Sequence, residues 1–183
     1  MRGFDGTVNP NIKAQQSVHY LLSGDYNFKM WHRPFKLIVA GYYKEMKDLI
    51  PYEVDNTRIR YFAKNNSVGY TTGADVRING DFIKGIESWA TLGFLKTMEN
   101  ISDDRKVTYF NAAGDTIIKG YTFDTKATDS TVKYPGYIPR PTDQRITFGM
   151  FFQDYLPKLP ACKMYLNMQF GSGLPFGPPD HIR

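Results

Sequence analysis

The stretch VHYLLSGDYNFKM, residues 18–30, decides the fold class. Its even positions read Val18, Tyr20, Leu22, Gly24, Tyr26, Phe28 and Met30, while His19, Leu21, Ser23, Asp25, Asn27 and Lys29 fall between them. A period of two over a dozen residues is a two-faced β-strand, longer than the five or six residues usual in globular proteins. His32-Arg33-Pro34 breaks the run. The next one sets Phe35, Leu37, Val39, Gly41 and Tyr43 against Lys36, Ile38, Ala40, Tyr42 and Lys44, so the two strands form a hairpin with a tight connection.

The same alternation returns four times. Tyr70, Thr72, Ala74, Val76, Ile78, Gly80 and Phe82 alternate with Thr71, Gly73, Asp75, Arg77, Asn79 and Asp81. Residues 88–96 follow a short connection, with ambiguous faces: Trp89 and Leu95 fall on one, Ala90, Leu92 and Phe94 on the other. Ile146, Phe148, Met150 and Phe152 alternate with Arg145, Thr147, Gly149, Phe151 and Gln153. Met164, Leu166, Met168 and Phe170 alternate with Lys163, Tyr165, Asn167 and Gln169. Six strands result, with connections running short, long, short, long, short. The long ones cover roughly residues 45–69 and 97–144. In the second, residues 107–111 and 116–123 predict a hairpin through Ala112-Ala113-Gly114-Asp115, and the prolines of residues 134–141 predict a stiff, extended approach to the next strand.

Composition bounds the function. The 183 residues allow one domain, or one piece of a larger one, at roughly 150 residues per domain. Lys and Arg outnumber Asp and Glu 23 to 18, a net +5, but they are scattered and form no nucleic-acid-binding stripe. The lone Cys162 excludes an internal disulfide framework and a cysteine-built zinc site. No apolar run approaches the ~18 residues of a membrane helix, and the first 20 residues contain no signal-peptide block. The 13 Tyr, 13 Phe and 2 Trp, beside 16 Gly and 11 Pro, favour an all-β chain rich in turns.

Long alternating strands with tight turns at one end and long loops at the other match a transmembrane β-barrel of antiparallel up-and-down strands. Aromatic residues near the strand ends fit its interfacial girdles. Arg77 facing the bilayer midplane would cost about 2–4 kcal/mol, so the face carrying Asp75, Arg77, Asn79 and Asp81, and with it Asn167 and Gln169, is expected to line the lumen. The competing reading is a soluble β-sandwich, a carbohydrate-binding or adhesion module, whose strands alternate in the same way. A truncated product without a function of its own is the third. Six strands cannot close a membrane barrel, the smallest of which has eight, so the barrel would be partial.

No residues predict catalysis, a metal or a cofactor. His19, His32 and His181 are far apart, with no matching carboxylates. Glu99 with Asp103-Asp104 lacks a calcium-loop pattern. Gly171, Gly173 and Gly177 precede prolines rather than a helix, which excludes a phosphate loop. For ligand binding the candidates are Tyr52, Arg58, Arg60, Tyr61, Tyr109 and Tyr121 on the long loops, where aromatic rings beside Arg suit a sugar, a peptide or a siderophore.

YPGYIPRPTDQRITFGMFFQDY at residues 134–155 and MYLNMQFGSGLPFGPP at 164–179 resemble the C-terminal barrel region of TonB-dependent outer-membrane receptors. The group in question carries a carboxypeptidase-like regulatory domain at its N-terminus. LIPYEVDNTRIRYFAKNN at 49–66, GADVRINGDFIKGIESWATLGFLKT at 73–97 and YFNAAGDTIIKGYTF at 109–123 look like the same region in collinear order. The resemblance implies one partial barrel domain over 1–183, without the plug or the regulatory domain. It implies a parent that imports a scarce solute across the Gram-negative outer membrane, with short turns periplasmic and long loops extracellular. The implied partners are outer-membrane lipids, the TonB energy-coupling complex and a surface lipoprotein.

Overall fold

The computed structural model describes residues 1–175 apart from 2, 4, 5, 7, 56, 57, 85, 119, 157 and 158. It is all-β, with no helix among the described residues. His181 and Gly177 lie outside them, as does the end of the 164–179 segment. Eleven strands form: β1 (Gln16–Met30), β2 (Arg33–Leu49), β3 (Tyr52–Asp55), β4 (Arg58–Tyr61), β5 (Ser67–Ile83), β6 (Ile86–Ile101), β7 (Lys106–Phe110), β8 (Asp129–Lys133), β9 (Tyr137–Pro139), β10 (Ile146–Leu156) and β11 (Leu159–Gly171).

The six strands expected from alternation are β1, β2, β5, β6, β10 and β11. They hydrogen-bond in that order, all antiparallel and without a crossover. β2 and β5 reach 17 residues each, because the polar ends beyond the alternating core also pair. β1 and β2 turn through Trp31 and His32, both at positive φ (53° and 60°), the two-residue geometry whose twist matches a hairpin. All the short connections lie at one end of the sheet, which we call the turn end, and both long connections lie at the other, the loop end.

Both long connections carry structure of their own. The first holds the β3–β4 hairpin. In the second, β7 pairs with β8 rather than with residues 116–123. The expected turn at residues 111–115 does form, closed by Asn111 and a single bridge from Phe110 to Thr116. Past it the chain folds back on itself: the Thr122 hydroxyl accepts from the Ile118 N–H and donates to the Thr116 carbonyl, so pairing with β7 stops after Ile117. β9, within the extended proline segment, pairs with the outer end of β6.

Between β9 and β10 the chain leaves β6 and returns. Arg140 donates its N–H to the Thr97 carbonyl and the Arg145 carbonyl accepts from Leu95 N–H, so residues 141–144 are extra length on one side of the ladder. The Thr97 N–H left over is taken by the Asp143 carboxylate at 2.7 Å, which stands in for a ladder carbonyl. Asp143 is buried and also pairs with Arg145 at 2.7 Å. Arg140 meets the buried Glu99 at 3.3 Å and reaches Met46 on β2.

No hydrophobic core of the two-layer kind lies among the described residues. Substantial contacts between strands run between hydrogen-bonded neighbours, so the large sheet is a single layer. Its buried apolar residues sit at its ends: Phe35 and Ile86 near the turns, Met46, Leu49 and Ala63 near the loops. β1 and β11 each have one strand partner, and the described residues do not close a barrel.

Candidate functional site

Register sorts the side chains into two faces, because residues opposite each other on paired strands project to the same side. One row across all six strands reads Gly24, Val39, Val76, Leu92, Phe148 and Phe170. The next reads Tyr26, Leu37, Ile78, Ala90, Met150 and Met168. Neither row contains a charge, and nothing among the described residues covers them: Tyr26 is 67% exposed, Phe170 62% and Met168 46%.

Aromatic residues border this apolar face at both ends. At the loop end Tyr20, Tyr43, Tyr70 and Tyr137 form a chain of ring contacts with centroids 6.4, 6.2 and 5.4 Å apart. At the turn end Tyr26, Phe28, Phe35, Trp31 and Phe82 cluster, with Phe35 touching three of the others. From the Tyr20–Tyr43 pair to the Phe28–Phe35 pair is roughly 27 Å along the strand. At the 35–45° strand tilt of outer-membrane barrels, that length would span about 20 Å of height, against their ~25 Å apolar band.

The opposite face is polar, and five of the six lumen candidates lie in continuous rows across it. Asp75, Arg77 and Asn79 lie on it along β5, and the rows they start run to Gly171, Gln169 and Asn167 on β11. Asp81 follows the last of these rows, where the β5–β6 ladder shifts between Gly80 and Ile83. With Asn79 and the polar-face residues Asn27 and Lys36 it borders a groove of about 540 Å³ near the turns, beside Lys29 and Glu87. Lys36 is held there by Asp25 at 2.9 Å.

The ambiguity of residues 88–96 resolves here. Trp89 shares the polar face with Thr91, Gly93 and Leu95, and Ala90, Leu92 and Phe94 the apolar one. Trp89, Phe151 and Tyr165 then form a row of near-parallel rings across β6, β10 and β11, with centroids 6.1 and 6.0 Å apart. The Arg77 guanidinium caps it, 5.0 Å from the Trp89 centroid and fixed by a 2.7 Å hydrogen bond to Asn79. These rings were missed as site residues in the sequence. The signal was there: each is an aromatic residue in phase with polar neighbours.

The six loop candidates separate into two groups. Tyr52 and Tyr61 are opposite each other on β3–β4, rings 5.9 Å apart, with Arg58 and Arg60 on β4 in the alternate phase. Tyr109 lies on β7 and Tyr121 beyond the following turn, 84% exposed. Asn65 ties the first connection to the sheet and to the N-terminal segment, through the Asp48 carbonyl at 2.6 Å and both backbone groups of Lys13. Among the described residues no three His, Cys, Asp or Glu side chains group as metal ligands. Comparison with protein-family models, curated proteins and solved structures returned no match.

Proposed function

We propose that this chain is a section of the barrel wall of a TonB-dependent outer-membrane receptor, which imports a scarce solute across the outer membrane. The observation that carries this reading is the uncovered apolar face of a single-layer sheet, six strands wide and bounded above and below by aromatic rows. In water such a face is a liability; against hydrocarbon it is the stable arrangement. The two open edges, β1 and β11, are where further wall would pair, since unpaired backbone in lipid costs several kcal/mol per group. On this reading the polar face is lumenal and the loop end extracellular.

Cysteine labelling of the native polypeptide, in the envelope of the cells that make it and with Cys162 replaced by Ser, tests the reading. Val76→Cys and Ile78→Cys are expected to react with a lipid-soluble maleimide, and Arg77→Cys and Asn79→Cys with a charged aqueous one. Protection of residues 76 and 78 from both reagents, with aqueous labelling at 77 and 79 and the protein in the soluble fraction, would replace the wall by a soluble β-sandwich module.

A further inference from the structure

We propose that the loop-end rim of the apolar face, centred on Lys96, is a headgroup site for an anionic, phosphate-bearing lipid. The inference rests on the reading of that face as lipid-facing, and it adds which lipid chemistry sits against it and at which end.

Charge on this face is confined to its two ends. In phase with it along the six long strands stand Glu45, Lys47 and Lys96 at the loop end, and Arg33 and Asp154 at the turn end. Both of the other cations are engaged. Lys47 pairs with Glu45 at 3.4 Å, and Arg33 donates to the Phe82 carbonyl at 2.6 Å. Lys96 has no ion-pair or hydrogen-bond partner among the described residues, and Asp154 pairs with no cation among them. The two rims of the face therefore differ in sign: an ammonium without a counter-charge at the loop end, a carboxylate without one at the turn end.

Ladder register sets Lys96 in one row with Thr72, Tyr43 and Tyr20, at the height of the loop-end aromatic border. Side chains directly opposite on paired strands stand about 4.5–5.5 Å apart at Cβ, so the Thr72 hydroxyl and the Lys96 ammonium can reach one phosphate together. A lysine at the edge of an apolar face lays its stem on that face and lifts its charge to headgroup level. There it makes charge-assisted hydrogen bonds to phosphate oxygens. Arg145 comes to the same rim. Its guanidinium lies 4.0 Å from the sulfur of Met98, which follows Lys96 on this face, and its side chain stays 46% accessible beside Asp143. Below Lys96 the next row reads Leu22, Gly41, Ala74, Phe94 and Ile146, without a charge. A phosphate held at the rim thus has surface for its acyl chains directly beneath it. A zwitterionic headgroup brings its own cation, which Lys96 repels, so the charge selects a lipid of net negative charge.

The test counts lipids retained by the purified native polypeptide in detergent, by native mass spectrometry. The probes are bisphosphorylated lipid A, its dephosphorylated form and phosphatidylcholine. Bisphosphorylated lipid A is expected to bind tenfold or more tightly than the other two. Lys96→Gln is expected to weaken it tenfold or more and Thr72→Val several-fold, while Lys96→Arg keeps it. Lys44→Gln removes the same charge at nearly the same height, but from the polar face, and is expected to leave binding unchanged. Equal retention of the three lipids by a folded protein overturns the proposal, and so does equal weakening by Lys96→Gln and Lys44→Gln. Displacement of lipid A by an equal concentration of inorganic phosphate would mark a site for the free anion and also overturns it. Selective binding by a protein found in the soluble fraction supports the site and removes the barrel wall. Labelling of residues 76 and 78 from lipid, without lipid selectivity, removes the site alone.

Discussion

The phenol of Tyr42 on β2 lies across Gly73 on β5, in the space that a Cβ at residue 73 would take. The two residues are direct partners in the ladder, so the tyrosine folds over its own neighbour instead of standing clear of the sheet. Strand β5 reads locally as weak here, with no side chain at 73 to pack. The ring of Tyr42 supplies that packing from the adjacent strand.

Gly73→Ala is therefore expected to destabilise the sheet by about 1–3 kcal/mol, since the added methyl meets both the Tyr42 ring and the Phe94 carbonyl. Part of this loss is expected to be recovered in Gly73→Ala/Tyr42→Ala. A double-mutant cycle by denaturant unfolding measures the coupling. Strict additivity of the two changes would mean that the ring does not occupy this space.

Asp143→Ala leaves the Thr97 N–H without its acceptor and Arg145 without its partner. An unsatisfied buried donor costs about 1–3 kcal/mol. The measurable consequence is local: faster amide hydrogen exchange at Thr97 and easier proteolysis within residues 102–145, with little change at the turn end. Asp143→Asn is expected to be milder, because the amide oxygen can still accept.

The ion pairs divide by burial. Lys36→Ala breaks an exposed pair with Asp25, both side chains about half accessible, and is expected to change stability by less than about 1 kcal/mol. Arg140→Ala removes one partner of a Glu99 whose side chain is only 5% accessible, and a loss larger than that of Lys36→Ala is expected. Parallel unfolding curves for the two variants measure the contrast.

Val76→Arg places a charge in the middle of the apolar face and Ser23→Arg places one on the polar face. In a bilayer the first is expected to cost about 2–4 kcal/mol. The second, an exposed position, is expected to stay within about 0.5 kcal/mol. Folding yield into lipid vesicles of the native polypeptide measures both. Equal tolerance of the two charges would argue against lipid contact.

The six long strands were legible because a period of two survives any tertiary context in which one face is apolar and the other polar. What was hidden required partners distant in sequence. Residues 116–123 have strand-like composition, yet Thr122 closes them on themselves and β7 takes β8. Asp143 reads as one more loop carboxylate until Thr97 is placed beside it. Trp89 blurred the alternation because it is apolar on the polar side, and that blur was the trace of the ring row. The shift of the β5–β6 ladder between Gly80 and Ile83, just where Asp81 stands, is likewise invisible in periodicity.

The absence of any crossover in the large sheet has a kinetic consequence. β1–β2, β5–β6 and β10–β11 are hairpins that close over very short turns, and hairpins of this kind form within about 1–10 μs in isolation. Docking them onto one another then requires only that the two long connections close. Closure entropy rises so slowly with length that the longer connection costs roughly 1 kcal/mol more than the shorter. Assembly by whole hairpins leaves the connecting segments free to lengthen, shorten or acquire new hairpins without disturbing the order in which the wall is built.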